Sequence, residues 1–449
     1  MLFLMQPIVA RRPKRGPGLR AVIVAGCLIL LALVGLISRY VPAAEPLSQV
    51  AVIGLVVFGM FSLRGLGLPS GAKVGAFVFL TASTVAALVS TQSSLEYAFR
   101  GWIGLVTALF AATAVAGAIL GARRQGRGRQ ATLVILVALG IGAITNVLVA
   151  LRQAVLGMDA AEIAQARAGV STFESGQWVR LMGTFATNQD FGLFAGCTAP
   201  AVFALALTYR GRRRGWLFVL AAALYLVVIL SLTRTALIAS IAAGAFALIV
   251  LSRGGATTRV LRTLVIGSSI VFIGVSVLSQ VSNPRVQDAL LRASTLFDLS
   301  DDVSFNARKD ATLPRALSAF QQNPLGSGAG SAGPVSQAYP NYAPFGSMTT
   351  DNGYLMIGIQ VGIIGVVAFV LMLLLTMRHL SISDSPFSKA GAASIVALLV
   401  AMISAQYWAL LAPASLVAAI VGIGIAHASP AVRHRDSAKA RQNSSLARV

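Results

Sequence analysis

A succession of long apolar runs constrains this chain more than any other feature. The runs fall near residues 19–38, 47–63, 72–90, 101–120, 131–156, 190–208, 215–232, 235–252, 263–279, 353–376, 391–411 and 412–428. About 20 apolar residues in α-helical form cross the ~30 Å hydrocarbon core of a bilayer. Lipid offers the backbone no hydrogen-bond partner, so each run must satisfy its own amides, as a helix does. The pattern predicts an all-α polytopic membrane protein with about 12 transmembrane helices, folded as a single transmembrane domain over residues 1–449. Only 11% of the residues are charged, against about 25% in soluble domains. An ordinary soluble enzyme and a disordered scaffold are thereby excluded.

The net charge of +22 and an isoelectric point near 11.4 invite a nucleic-acid reading. The placement of the charges gives a different answer. With the N-terminus in the cytoplasm and the runs alternating, 25 of the 36 basic residues fall on the cytoplasmic side, with only Asp384 and Asp436 of the 14 acids. The outer side then holds 11 basic and 12 acidic residues. Cytoplasmic loops carry an excess of Lys and Arg, so the basicity is an orientation signal with both termini inside, and no nucleic-acid partner is implied. Cys27 and Cys197 lie within apolar runs, which argues against a disulfide framework or a metal knuckle. The basic N-terminal stretch and the first run predict a retained span rather than a cleaved signal peptide.

Most connections are short, as between neighbouring antiparallel helices. Two long ones lie on the outer side, over 157–188 and 281–350. The second holds two helix-like stretches, 284–299 with Val286, Leu290, Ala293 and Phe297 on one face, and 308–321 with Leu313, Leu317 and Phe320. Such faces suit short helices that lie on the membrane or cap a cavity. Asp301-Asp302 between them reads as a turn or cap, and no Asp-x-Asp pair of the metal-binding kind is present. Residues 215–252 as one helix would reach about 57 Å, nearly twice the bilayer core. The chain must therefore fold back at Ser231-Leu232-Thr233-Arg234-Thr235, which puts Arg234 at the tip of an outer hairpin.

Every basic residue on the outer side except Lys309 is Arg. Its planar fork of donors suits phosphate and carboxylate, although outer arginines also anchor helix ends at headgroups. Arg180, Arg234 and Arg308 stand apart because each lies in a polar, turn-rich setting. They belong to three segments. The first is Arg180-Leu181-Met182-Gly183-Thr184-Phe185-Ala186-Thr187-Asn188-Gln189-Asp190, running into a span. The second is Thr233-Arg234-Thr235-Ala236-Leu237. The third joins Arg308 and Asn323-Pro324-Leu325-Gly326-Ser327-Gly328-Ala329-Gly330 to Asp351-Asn352-Gly353-Tyr354-Leu355 and Gly362-Ile363-Ile364-Gly365.

In order, spacing and membrane placement these segments resemble the O-antigen ligase/polymerase superfamily of bacterial membrane glycosyltransferases, over residues 150–370. The resemblance implies a GT-C-like fold and a metal-independent, inverting transfer with no cofactor. The glycan would pass from an undecaprenyl-pyrophosphate donor to a sugar hydroxyl of an acceptor, at the periplasmic face of the inner membrane. It implies membrane lipids, a chain-length regulator and a flippase as companions.

Arg234, with Arg180 and Arg308, would stabilise the departing pyrophosphate. The hydroxyl needs a proton acceptor from the outer side. Ligases of the family resemble one another in carrying a His where this chain has Asp351, and His379, His427 and His434 all fall on the cytoplasmic side. Asp351 is the expected base and Arg234 the second catalytic residue, although Asp351 equally suits a helix N-cap. Arg315, Asn188, Asp190, Asn352, Tyr354 and Gln153 complete the expected substrate contacts, with Asp190 the rival base and Trp178 a further ring for sugar stacking. Asp at 351 favours a polymerase of lipid-linked repeats over a ligase to lipid A core. A polytopic transporter or flippase and a non-catalytic assembly partner are the other readings.

Overall fold

The computed structural model describes residues 16–44, 46–168, 174–175, 178–179, 181–209, 212–231, 233–252, 306 and 308–428. The described helices are α1 (Leu19–Tyr40), α2 (Pro46–Ser62), α3 (Ser70–Ser90), α4 (Leu95–Arg124), α5 (Gly128–Leu156), α6 (Ala160–Ala168) and α7 (Asn188–Thr208). They continue with α8 (Arg212–Leu230), α9 (Arg234–Ser252), α10 (Leu313–Gln322), α11 (Pro334–Ala338), α12 (Gly353–Ile382), α13 (Pro386–Ala401) and α14 (Leu411–Ala428). The expected all-α polytopic class holds. Its sole β feature among the described residues is the ladder of β1 (Glu174–Ser175) with β2 (Trp178–Val179).

Eight of the described helices are long and apolar enough to cross a membrane, and α8, α9 and α13 carry shorter apolar stretches. These eleven coincide with eleven of the expected runs; the twelfth, 263–279, lies outside the described residues.

Helix α4 is the axis of the bundle: 83% of its most apolar window is inside the protein, against 33% for α3. Small residues cause this, because they let backbones approach closely where no hydrophobic drive separates protein from lipid. A Cβ on Gly59 of α2 would lie 2.4 Å from the Phe110 carbonyl oxygen, and one on Gly422 of α14 would lie 2.4 Å from that of Ala112. The outer helices instead expose large side chains such as Phe61, Phe77, Leu88 and Leu148, as a lipid-facing surface requires.

The helix ends sort into two faces. The upper face gathers the end of α1, the starts of α7, α9 and α12, and the α13–α14 connection. It is tied together by Arg39–Phe185, Thr233–Asn188 and Thr235–Ser404 hydrogen bonds. The lower face gathers the α4–α5 connection and the end of α14, joined where Arg123 donates to the Ala426 carbonyl and meets His427.

Three details depart from expectation. The run 391–411 is not one helix: α13 stops at Ala401, and 402–410 is irregular backbone with a 3-10 turn at Tyr407–Ala409. Its polar groups are satisfied inside the protein, as when Trp408 Nε1 donates to the Leu105 carbonyl at 2.6 Å, and such burial is what permits non-helical backbone at membrane depth. The first long connection contains α6, which was not expected. In α10 the buried positions are Ala316 and Ala319, while Leu313 and Leu317 are partly exposed. The expected stretch 284–299 and the Asp301-Asp302 turn lie outside the described residues.

Candidate functional site

The Gly183-Thr184-Phe185 segment is a buried turn hung from two helices, α1 and α5. Gly183 has φ +56, and a Cβ there would meet the Phe191 ring at 2.6 Å. The Asn146 side-chain oxygen accepts from the Thr184 amide at 3.0 Å. The Gln153 side-chain oxygen accepts from the amides of Met182 at 3.2 Å and Gly183 at 3.0 Å. Thr184 Oγ1 donates to the Ala32 carbonyl at 2.7 Å, and Arg39 Nη2 donates to that of Phe185. The turn hands the chain to α7, whose N-cap Thr187 accepts from the Asp190 amide at 3.1 Å. Asn188 and Asp190 therefore occupy the first turn of α7.

Beside this turn, at the upper ends of α1 and α5, lies a compact charged cluster. Glu162 of α6 has no solvent exposure and takes Arg39 Nη1 at 3.2 Å, Arg152 Nη2, and Gln153 Nε2 at 2.8 Å on a single oxygen. Its other oxygen accepts from the Asp159 amide at 3.0 Å, while Asp159 Oδ1 accepts from the Glu162 amide at 2.9 Å. That reciprocal pair is a capping box, the reason α6 starts where it does. The Tyr40 hydroxyl donates to Asp159 and holds that carboxyl below its ordinary range. Gln153, expected to touch substrate, serves here as a clamp between this cluster and the Gly183 turn.

The α8–α9 hairpin rests on α7. Thr233 Oγ1 donates to the Asn188 carbonyl at 3.5 Å, and a Cβ on Gly192 would lie 2.6 Å from that hydroxyl. On the other side, Thr235 and Ser404 share a hydrogen bond of 2.7 Å. The irregular 402–406 segment then meets α12: Asn352 Nδ2 donates to the Ile403 carbonyl at 2.9 Å, and the Gly353 amide donates to that of Met402 at 2.8 Å. Arg234, beside Thr235, and Asp351, beside Asn352, thus flank one continuous polar seam, and both are half-buried.

The N-cap of α12 is Asn352, whose side-chain oxygen accepts from the Leu355 amide at 2.9 Å. Asp351 is therefore not the cap; it stands one residue earlier at φ 44, a backbone region few non-glycine residues occupy. Two buried acceptors of the seam's elements, Asn188 Oδ1 and Gln406 Oε1, have no hydrogen-bond partner among the described residues.

The Gly326-Ser327-Gly328-Ala329-Gly330 loop is locked onto a break in α12. Helix α12 breaks at Gly362, with φ 76 and ψ −179. The Ile359 carbonyl, freed by the break, accepts from the Ser327 amide at 2.7 Å, and that of Gln360 accepts from Gly328 at 3.1 Å. The Ile363 amide turns to the Pro324 carbonyl at 2.9 Å. The Gln360 side chain spans the loop, accepting from the Gly330 amide at 2.7 Å and donating to the Ala332 carbonyl at 3.1 Å. A Cβ on Gly362 would sit 2.4 Å from the Leu325 backbone, so loop and broken helix interlock.

Other expected residues fall elsewhere. Arg180 and the side chains of Trp178 and Arg308 lie outside the described residues; the Arg308 backbone begins a π-helical turn, Arg308–Thr312. Arg315 is exposed on α10 and donates to the Phe345 carbonyl at 2.8 Å. The Tyr354 hydroxyl donates to the Leu399 carbonyl at 2.6 Å, which turns it towards α13. His379 and His427 lie near the lower ends of α12 and α14, and His434 is outside the described residues. Sequence reasoning missed Glu162, Asn146, Gln360 and Gln406. Asn146 and Gln360 had a signal, because a polar side chain in the middle of an apolar run needs a partner inside the protein.

Fold and site together define a polytopic helical membrane protein with a polar seam at one face of its bundle. The family described as O-antigen ligase matches residues 216–370, about a third of the chain. That match supports the O-antigen ligase/polymerase superfamily, the one the motifs resemble. It takes in Arg234, the glycine loop and Asp351, and leaves out the Gly183 turn and the 402–406 segment. No curated protein matches the chain.

Proposed function

We propose that this chain is a membrane glycosyltransferase that lengthens undecaprenyl-pyrophosphate-linked oligosaccharide repeats at the periplasmic face of the bacterial inner membrane. The upper face is then periplasmic, and the lower face, with Lys73, Arg123, Arg124 and Arg378, is cytoplasmic. The observation that supports the reading is the seam Thr233–Asn188, Thr235–Ser404, Ile403–Asn352, which joins α7, α9, the 402–406 segment and α12, with Arg234 and Asp351 on residues adjoining it.

In the reaction, the Asp351 carboxylate takes the proton of the acceptor hydroxyl as its oxygen attacks the anomeric carbon of the donor. The bond from that carbon to the pyrophosphate breaks with inversion, and the electron pair leaves with the diphosphate. Arg234, joined by Arg180 and Arg308, stabilises the charge that develops there. Asn188 and Gln406 offer buried acceptor oxygens suited to sugar hydroxyls. No metal is used.

The description of the matched family favours a second reading, a ligase that hands glycan to lipid A core. Asp rather than His at 351 favours the polymerase. The product separates them: long lipid-linked chains in one case, glycan on lipid A core in the other. Arg234→Ala and Asp351→Ala are each expected to abolish chain lengthening with the protein still in the membrane; normal-length product from either removes the site assignment. Purified enzyme should keep its activity in chelator. Loss of activity restored by a divalent cation would contradict the arginine-only site.

A further inference from the structure

An apolar cavity of about 300 Å³ lies between α3, α4, α12, α13 and α14, apart from the polar seam. Its walls include Ala112, Met372 and Ala418, and its mouth is marked by Lys73 and Phe77, both exposed on α3. At the inner end Trp408 closes it, packed edge-on against Phe369 at 4.7 Å and Phe79 at 6.4 Å. Phe79 and Phe369 are fully buried, so this aromatic floor separates the cavity from the upper face.

From this geometry we infer a binding site for one acyl chain of an anionic phospholipid drawn from the lower leaflet, with the headgroup on Lys73. The cavity's length argues for an acyl chain. Its lining on α14 runs from Ala414 to Ile425, about 16 Å at the helical rise. That is about half of the ~30 Å bilayer core, the depth of one leaflet. A polyprenyl chain is far longer, and one whose headgroup sat at the upper seam would meet the closed floor.

Charge at the mouth selects the headgroup. Lys73, Arg124 and Arg378 are exposed at the lower face, and Arg124 Nη2 approaches the α2–α3 connection at Gly65. Against them stands Asp384, the one acid at that face among the described residues. Basic pockets between transmembrane helices bind anionic headgroups on the cytoplasmic side of membranes. Only the name of the leaflet rests on the orientation proposed above; the site does not depend on glycan transfer.

The test is native mass spectrometry of the detergent-purified protein, incubated with equimolar phosphatidylglycerol, phosphatidylethanolamine and undecaprenyl phosphate. One phosphatidylglycerol should be retained per chain. Lys73→Glu, an exposed substitution that leaves the lining intact, should lower that retention by at least about five-fold. Ala418→Phe, which fills the cavity, should abolish it with helical content unchanged. Equal retention of both phospholipids in the parent and in Lys73→Glu would overturn the inference, as would retention of undecaprenyl phosphate instead, or of no lipid.

Discussion

The upper face holds two polar clusters built on opposite terms. Around Glu162, two guanidinium groups, an amide and a backbone N–H converge on one fully buried carboxylate, and each of its oxygens is used. Around Arg234 and Asp351 the side chains are half-buried, one backbone position has a left-handed φ, and the buried oxygens of Asn188 and Gln406 lack partners among the described residues. A network that satisfies its own members fixes structure. One that leaves acceptors empty at a point of backbone strain has kept capacity for a ligand. The first cluster holds the Gly183 turn, the turn sets the start of α7, and α7 carries the second cluster's Asn188. On the function proposed above, stability and chemistry are drawn from neighbouring but separate residues.

The sharpest way to break this comparison is Glu162→Gln. It keeps the shape and leaves Arg39 without the counter-charge of its fully buried ion pair, while Arg152 keeps Asp159 at 3.8 Å, so the fold should lose about 3–5 kcal/mol, the usual cost of breaking a buried ion pair. Thermal unfolding in micelles should show the fall; an unchanged melting point would mean that the cluster is not structural. Arg234→Ala is the converse. Its rate of chain transfer should drop by at least about 10²–10³-fold, the cost of removing one preorganised donor to a developing anion and enough to abolish visible chain lengthening, while its melting point stays with the parent. A large loss of stability there would erase the distinction between the clusters.

Gly362→Ala probes a third kind of order, the interlock of loop and broken helix. Ala would strain a φ of 76 and press on the Leu325 backbone. A cost of about 1–3 kcal/mol is expected, read as faster hydrogen exchange at the Ser327 and Gly328 amides; unchanged exchange would separate the loop from the break. This feature also marks the limit of what was legible beforehand. Hydropathy period and charge parity set out the spans and the α8–α9 turn, because lipid imposes both on the sequence locally. The interlock joins Pro324 to Ile363 and Gly328 to Gln360, and backbone pairing of that kind leaves no trace except glycines that admit several readings. The early end of α13 was hidden because apolar composition looks the same in a helix and in buried irregular chain. Helix α6 was legible in principle, since Asp159-Ala160-Ala161-Glu162 has the capping-box spacing. Of the candidate site, Arg234 was accessible from its turn-rich setting and Asp351 from the family resemblance, whereas Gln406 sits in a run that reads as plain span.

The smallest effect concerns the rim of the structural cluster, where Tyr40 donates to Asp159. That bond is the first cause of the lowered Asp159 ionisation, ahead of the Glu162 amide and Arg152. A carboxyl whose folded pKa is depressed adds stability above its unfolded value, and the contribution fades as pH falls through the folded one. The parent protein should therefore lose stability progressively below about pH 4, the ordinary carboxylate range. Tyr40→Phe removes the donor and leaves Asp159 to its capping amide and Arg152. Its melting point at neutral pH should fall only slightly, and the gap between variant and parent should narrow as the pH drops below that range. Both effects are small because Asp159 is only half-buried, with 39% of its side chain exposed, in contrast to the fully buried Glu162 three residues on. A gap that instead widened in acid would mean that the tyrosine supports the protonated carboxyl, and that the rim does not belong with the buried ion cluster.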